Sequence, residues 1–198
     1  MALKYILTIM EWAWRLIWVN FLWLLFSLPV ITFIPSTIAL FAVGNKWLTE
    51  DKDIDIFPTF FNAFKSYFLK SYAVGLPILL IGLFLYVDFV ILQKQAGALF
   101  SVILYAILIV SLMYIVLFFY FIPVFIQVDV PFSKQLLISF LVAFRQPLIS
   151  LMMLCGILIV VVVFVCWTGI GILFIGSLSV LFSTKATLNG LKKYNFEI

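Results

Sequence analysis

Long stretches without a charged residue are the feature that most constrains this chain. Residues 16–45, 95–128 and 146–184 contain no Asp, Glu, Lys or Arg. As one straight helix the first stretch would measure about 45 Å, whereas the hydrocarbon core of a bilayer is about 30 Å thick. Each stretch therefore exceeds a single crossing, and the chain is predicted to be an all-α, polytopic transmembrane bundle.

The composition points to the same class. Hydrophobic residues make up 67% of the chain and charged residues only 10%, whereas soluble domains carry about 25% charged residues. No polar stretch is long enough for a second domain, so residues 1–198 are predicted to form one transmembrane domain. The net charge of +4 comes without a basic block, which gives no sign of nucleic-acid binding. The apolar run before Glu11 is too short for a cleavable signal peptide.

Prolines predict where these stretches break. Pro29 and Pro35 interrupt the first one, because proline removes a backbone donor and clashes with the preceding turn. The first span is predicted to end near Leu28. The second is predicted to start near Ser36 and is short enough to be re-entrant instead of a full crossing. Pro123 is predicted to bend or end the fourth span. Proline-broken helices often mark transporter substrate sites, although shaping the helices is the simpler role for all three prolines.

Two segments have the pattern of amphipathic elbow helices lying in the membrane interface. Residues 57–70 place phenylalanines on one face and polar side chains on the other, namely Thr59, Asn62, Lys65, Ser66 and Lys70. The second segment, residues 132–146, follows a predicted helix start at Asp129 and Pro131. Lys65 and Arg145, near the ends of the two elbows, are expected to face lipid headgroups or a partner.

Two short matches raise the question of an internal repeat. Phe60–Lys65 and Phe140–Arg145 share the pattern F-x-x-A-F-[KR], and Phe33–Phe41 agrees with Phe174–Phe182 at five of nine positions. A duplicated unit of span, elbow and returning span would explain the matches. Chance would also explain them, since a chain so rich in Phe, Leu and Ile matches itself easily.

The distribution of basic residues predicts the topology. A six-span arrangement leaves Lys94 alone on one side and puts eleven basic residues on the other: Lys4, Arg15, Lys46, Lys52, Lys65, Lys70, Lys134, Arg145, Lys185, Lys192 and Lys193. The positive-inside rule places the richer side in the cytoplasm. The chain is therefore expected to be a multi-pass protein of the plasma membrane, with both termini and both elbows cytoplasmic.

Cysteine labelling tests this topology. We expect single cysteines at Lys52 and Lys192, in a background without Cys155 and Cys166, to resist an impermeant thiol reagent in intact cells. A cysteine at Lys94 is expected to react. Labelling at Lys192 from outside would contradict the six-span arrangement.

Few residues of the chain suggest catalysis. The sequence contains no His, so no histidine base and no ordinary zinc or haem ligand set is available, and neither an enzyme nor a cofactor is predicted. Two acids at membrane level, Asp88 and Asp129, are candidate functional residues because intramembrane acids are costly. Their simpler roles are to reach water at the membrane boundary, for Asp88, and to cap a helix, for Asp129.

A stripe of small residues on the last span is the predicted contact surface. Gly169, Gly176 and Ser183 recur every seven residues, and small residues let another helix approach closely. We expect the stripe to pack against a partner or a second copy. Packing within the chain is the alternative, and Gly176→Leu would then lower stability without changing association.

One part of the chain resembles a known family. Residues 22–32 read LWLLFSLPVIT, residues 35–40 read PSTIAL, and residues 46–47 read KW, followed by the pattern F-F-x-A-F-K at residues 60–65. This pattern resembles the YesL-like family of small bacterial integral membrane proteins. The resemblance implies a membrane protein without an assigned activity, often encoded beside carbohydrate ABC importers in Gram-positive bacteria.

These observations leave three functional hypotheses. The favoured one is a non-catalytic accessory or assembly subunit of a membrane transport system, with other subunits of a carbohydrate importer and the lipid bilayer as partners. The second is a self-standing small-solute transporter or channel. The third, an intramembrane enzyme, is disfavoured by the lack of histidine and of a nucleophile–base pair.

Overall fold

The chain folds into a bundle of helices. A computed structural model describes residues 2–50, 53–95 and 97–194, so Asp51 and Lys52 of the predicted polar loop lie outside the described residues. The elements are α1 (Ala2–Ser27), a 3₁₀ turn (Val30–Thr32), α2 (Phe33–Thr49), α3 (Ile56–Leu92), α4 (Ala98–Gln127), α5 (Phe132–Arg145), α6 (Pro147–Cys166) and α7 (Thr168–Lys193). Six segments among the described residues are long and apolar enough to cross a membrane. Five lie in α1, α3, α4, α6 and α7, and the sixth, Val30–Thr49, combines the 3₁₀ turn with α2. The predicted fold class is confirmed.

Two hydrophobic clusters hold the bundle together. The first joins α1, α2 and α3 around the buried side chains of Val19, Val43 and Phe60. The second joins α4 to α5, α6 and α7 around Tyr120 and Val142. The far halves of α3 and α4 lie outside both clusters and form a hairpin with an exposed apolar surface.

Five basic residues of the described chain lie together at one end of the bundle. Helices α2 and α7 run in the same direction, because Gly176 lies against Leu40 and Gly44 lies against Val180. The C-terminal ends of both helices therefore lie together. We call this the basic end, and it holds Lys46, Arg145, Lys185, Lys192 and Lys193.

The first elbow differs from its prediction. Residues 57–70 do not form a separate helix, because they continue into the membrane span as one helix of 37 residues. No glycine or proline interrupts the chain between Pro58 and Gly75, so nothing breaks the helical hydrogen bonds there. The second elbow is confirmed as the separate helix α5, which ends at Arg145, two residues before Pro147.

Of the three prolines predicted to break or bend helices, Pro29 alone lies between two helices among the described residues, and a bend at Pro123 stays a prediction. Helix α1 ends at Ser27 and Pro29 starts the 3₁₀ turn, as predicted. Pro35 lies in the first turn of α2, where its missing N–H costs no hydrogen bond, so α2 starts at Phe33 and not near Ser36. Pro123 does not end α4, which continues to Gln127.

The two segments that share the F-x-x-A-F-[KR] pattern differ in burial and in helix context. Phe60 is fully buried in the first cluster, whereas Phe140 is 42% exposed. The segment around Phe60 continues a long helix, whereas the segment ending at Arg145 ends a short one. The second pair of matching segments shares a buried serine, Ser36 or Ser177, which is common in packed helices of membrane proteins.

Candidate functional site

A polar cleft opens near the basic end, between the end of α2, the first turns of α3 and the end of α4. Its volume is about 660 Å³. Two acids and one lysine line it together with amide and hydroxyl side chains, the full polar set being Asn45, Lys46, Glu50, Asp55, Thr59, Asn62, Ser66 and Tyr67. We call this site the polar cleft.

The helical repeat explains how α3 contributes to the polar cleft. Thr59, Asn62 and Ser66 are spaced by three and four residues, so they follow one another along a single helix face. Helix α2 adds Asn45, whose Oδ1 accepts a hydrogen bond of 2.8 Å from Nε2 of Gln127 on α4. This hydrogen bond joins α2 to α4 beside the cleft. Oε1 of Gln127 is buried with no partner among the described residues.

Two ion pairs lie in or near the polar cleft. Nζ of Lys46 lies 3.7 Å from Oε2 of Glu50, one turn along the chain, an exposed pair that contributes well under 1 kcal/mol. Arg15 of α1 forms a salt bridge with Asp53, which attaches the loop before α3 to the first helix. Asp55 also lines the cleft. The site thus presents amide, hydroxyl and carboxylate groups that suit hydrogen bonding to a polar partner.

The sequence pattern identified only part of this site. It placed Thr59, Asn62 and Ser66 on the same polar face as Lys65 and Lys70, but in the structure only the three uncharged residues line the cleft. It did not identify Asn45, Tyr67 or Gln127. The available signal was that Asn45 and Gln127 are amides placed near the ends of two otherwise apolar helices.

The two candidate acids are not brought together. Asp88 is half-buried near the far end of α3, away from the polar cleft. Asp129 is exposed between α4 and α5. It does not cap α5 as predicted, because that helix starts at Phe132 after Pro131 and has no side-chain cap.

The two candidate basic residues lie on separate helices, each over an aromatic ring. Nζ of Lys65 lies 4.5 Å from the centre of the Phe61 ring. The guanidinium carbon of Arg145 lies 5.0 Å from the centre of the Tyr194 ring. Both side chains are exposed, and their contact with headgroups or with a partner stays a prediction.

The small-residue stripe faces mostly inward, which corrects its prediction as a lateral surface. A Cβ added at Gly169 would meet no atom within 4 Å, but a Cβ added at Gly176 would lie 2.6 Å from Oδ1 of Asn20. Ser183 is fully buried. Two of the three residues therefore pack inside the bundle, because α7 lies between α6 and the α1–α2 pair.

Asn20 explains why Gly176 must be small. Its Oδ1 accepts hydrogen bonds from the backbone N–H groups of Gly176, at 3.0 Å, and Ser177, at 3.2 Å. Its Nδ2 donates to the carbonyl of Ile172 at 2.6 Å. We call this arrangement the asparagine clamp. It joins α1 to α7 through a fully buried amide, a contact that the sequence analysis did not predict.

Comparison with known proteins identifies the family. A family model described as "Protein of unknown function, DUF624" matches residues 16–89. YesL of Bacillus subtilis (strain 168) is 32% identical over 184 residues, which cover 91% of this chain and 87% of YesL. From the same organism, YesV is 32% identical over 72% of this chain and 70% of its own length. YteU is 31% identical over 66% of this chain and 59% of its own length.

These three relatives are described as uncharacterized proteins. No solved structure matches the chain. The matched residues 16–89 include the break at Pro29, the asparagine of the clamp and the α3 wall of the polar cleft. With an alignment to YesL over nine-tenths of its length, the chain belongs to the YesL-like family of bacterial integral membrane proteins.

Proposed function

We propose that this protein is a non-catalytic accessory or assembly subunit of a membrane transport system, which acts by contact with other membrane subunits. A carbohydrate ABC importer is the system that the family resemblance suggests. The positive-inside rule favours an orientation in the plasma membrane with the basic end and both termini in the cytoplasm. The polar cleft would then open toward the cytoplasm, where the loops of a partner subunit are accessible.

The observation that carries this proposal is the position and lining of the polar cleft. The cleft is lined by polar groups and also by Ala42, Ala63 and Ile126. Ala63 and Ile126 pack against the first hydrophobic cluster. A cleft backed by packed apolar side chains is suited to receive a protein segment. Passage of a polar solute would instead need a continuous series of hydrogen-bonding groups across the membrane.

Two buried polar side chains deeper in the bundle, Asn20 and Tyr120, have partners. The asparagine clamp uses the amide of Asn20, and the hydroxyl of Tyr120 lies 2.9 Å from that of Ser150. Among the described residues, the buried side chains with unpartnered polar atoms are Trp47, Thr184, Gln127 and Gln146. Trp47 and Gln127 lie toward the C-terminal ends of α2 and α4, Thr184 lies in the C-terminal half of α7, and Gln146 immediately precedes α6. This placement, toward the basic end, favours contacts there over a path through the membrane.

A self-standing small-solute transporter or channel is the second candidate. The break at Pro29 favours it, because discontinuous helices form the substrate sites of many transporters. The two candidates differ in what the purified chain does alone: a transporter moves solute in liposomes, whereas an accessory subunit needs its partner.

Copurification from native membranes tests the proposal. We expect the tagged wild-type chain to bring down a stoichiometric membrane partner, and we expect Asn62→Phe to lose it because the ring fills the polar cleft. Asn189→Phe is the matched control, since Asn189 is also an exposed helical asparagine but does not line the cleft. Equal recovery of the partner with both variants would exclude the cleft as the docking site. Solute uptake by liposomes that contain only the purified chain would favour the second candidate.

A further inference from the structure

The turn between α1 and α2, residues 28–32, is exposed and apolar. Leu28 is 76% exposed, Val30 88% and Ile31 73%. A turn that reaches water is usually built from polar residues, Gly or Asn. The turn between α3 and α4 fits that rule, with Gln93, Lys94 and Gln95 in sequence. The α1–α2 turn does not.

The helices on either side of the α1–α2 turn are short once their charged ends are excluded. The charge-free part of α1 is residues 16–27 and that of α2 is residues 33–45. These segments measure about 18 and 20 Å, well short of a hydrocarbon core of about 30 Å. Apolar segments of 10–14 residues are typical of buried or re-entrant helices. Arg15 immediately precedes the first segment, and its salt bridge to Asp53 keeps it with the loop that leads into α3.

A contact with α3 shows at which depth of the α3 crossing the α1–α2 turn lies. The hydroxyl of Tyr72 donates a hydrogen bond of 2.5 Å to the carbonyl of Ile31. Lys70, two residues earlier on α3, is exposed, which places the polar boundary of the membrane close by. From Tyr72 to Leu92 the helix rises about 30 Å, one full hydrocarbon core. The α1–α2 turn therefore lies beside the first part of the α3 crossing, far short of its other end.

Side-chain hydroxyls satisfy backbone carbonyls at the α1–α2 turn. A helix end leaves its last carbonyls without helical partners. The hydroxyl of Thr32 lies 2.6 Å from the carbonyl of Phe26 and 2.8 Å from that of Pro29. The hydroxyl of Ser36 donates to the carbonyl of Trp23 at 3.0 Å. Water would serve these carbonyls at a membrane surface, whereas in hydrocarbon they need internal donors.

We infer that α1 and α2 form a re-entrant hairpin, which enters and leaves the bilayer from the basic end, with the α1–α2 turn packed against lipid acyl chains. Four of the six apolar helices, α3, α4, α6 and α7, then cross completely. The charge distribution does not change, because Arg15 and Lys46 lie on the same side in either arrangement. Leu28, Val30 and Ile31 are exposed to lipid and not to the aqueous phase.

Depth measurement on spin-labelled cysteines tests this inference. The label is placed at Val30→Cys, in a background with Cys155→Ser and Cys166→Ser, and the protein is reconstituted in phosphatidylglycerol–phosphatidylcholine vesicles. We expect oxygen to relax this label strongly and a water-soluble nickel chelate to have no effect. Gln93→Cys is the matched control in the polar α3–α4 turn, where the chelate is expected to act. Equal access of the chelate to both labels would overturn the re-entrant hairpin.

A second measurement uses the hydroxyl of Thr32. In hydrocarbon, Thr32→Val leaves the carbonyl of Phe26 without its side-chain donor, whereas the carbonyl of Pro29 keeps the backbone N–H of Thr32 at 2.8 Å. We therefore expect a lower melting temperature than for the wild type. Thr32→Ser keeps the donor and is expected to melt like the wild type. If Thr32→Val also melts like the wild type, water reaches the Phe26 carbonyl and the inference fails.

Discussion

Gly176→Leu is expected to destabilise the fold by about 3 kcal/mol. A Cβ at this position would lie 2.6 Å from Oδ1 of Asn20, 3.0 Å from Leu40 and 3.1 Å from Trp23. Overpacking a core costs about 1–3 kcal/mol, and the loss of interhelical hydrogen bonds in a membrane protein adds about 1–2 kcal/mol. Because α1 would separate from α7, thermal unfolding in detergent should show a large decrease in melting temperature.

Gly169→Leu is the matched control for this prediction. Gly169 lies on the same helix and in the same stripe, but a Cβ there would meet no atom within 4 Å. Substitutions at such sites usually change stability by less than about 0.5 kcal/mol. A Gly176→Leu variant that melts like the wild type but no longer self-associates would place the stripe on the surface and contradict the structure.

Phe60→Ala is expected to destabilise the protein by about 3 kcal/mol. The ring is completely buried in the first hydrophobic cluster, and its centre lies 5.4 Å from that of Phe26. Truncation of a buried phenylalanine leaves a cavity and removes many dispersion contacts, which costs about 3–5 kcal/mol in soluble proteins. The lower limit applies here, since lipid and not water surrounds most of the chain. Unfolding in mixed micelles with increasing dodecyl sulfate measures the difference.

Phe140→Ala is the matched comparison, because the F-x-x-A-F-[KR] pattern aligns Phe140 with Phe60. Phe140 is 42% exposed, and its ring lies 4.3 Å from that of Phe144 on the outer face of α5. We expect a loss below about 1 kcal/mol, because lipid can replace most of the removed contacts. Comparable losses for both variants would restore the internal repeat as a structural unit.

The sequence pattern predicted only one face of the polar cleft. Periodicity assigned Thr59, Asn62 and Ser66 to one polar face, and that face exists. It did not show that α2 and α4 place Asn45 and Gln127 opposite that face, because this depends on which helices are neighbours. Apolar segments of similar composition contain little information about pairing, since almost any two of them can pack in lipid.

The sequence alone determined the membrane class, the apolar segments and the uneven charge distribution, because these depend on transfer of side chains between water and hydrocarbon. It also determined the break at Pro29, which follows from local backbone sterics. The tertiary structure decided that Pro123 is accommodated within a helix and that residues 57–70 extend α3. It also placed Gly176 in the asparagine clamp and not on the surface. These features depend on close contacts between segments distant in the chain, such as Asn20 with Gly176, and only the packed bundle defines such contacts.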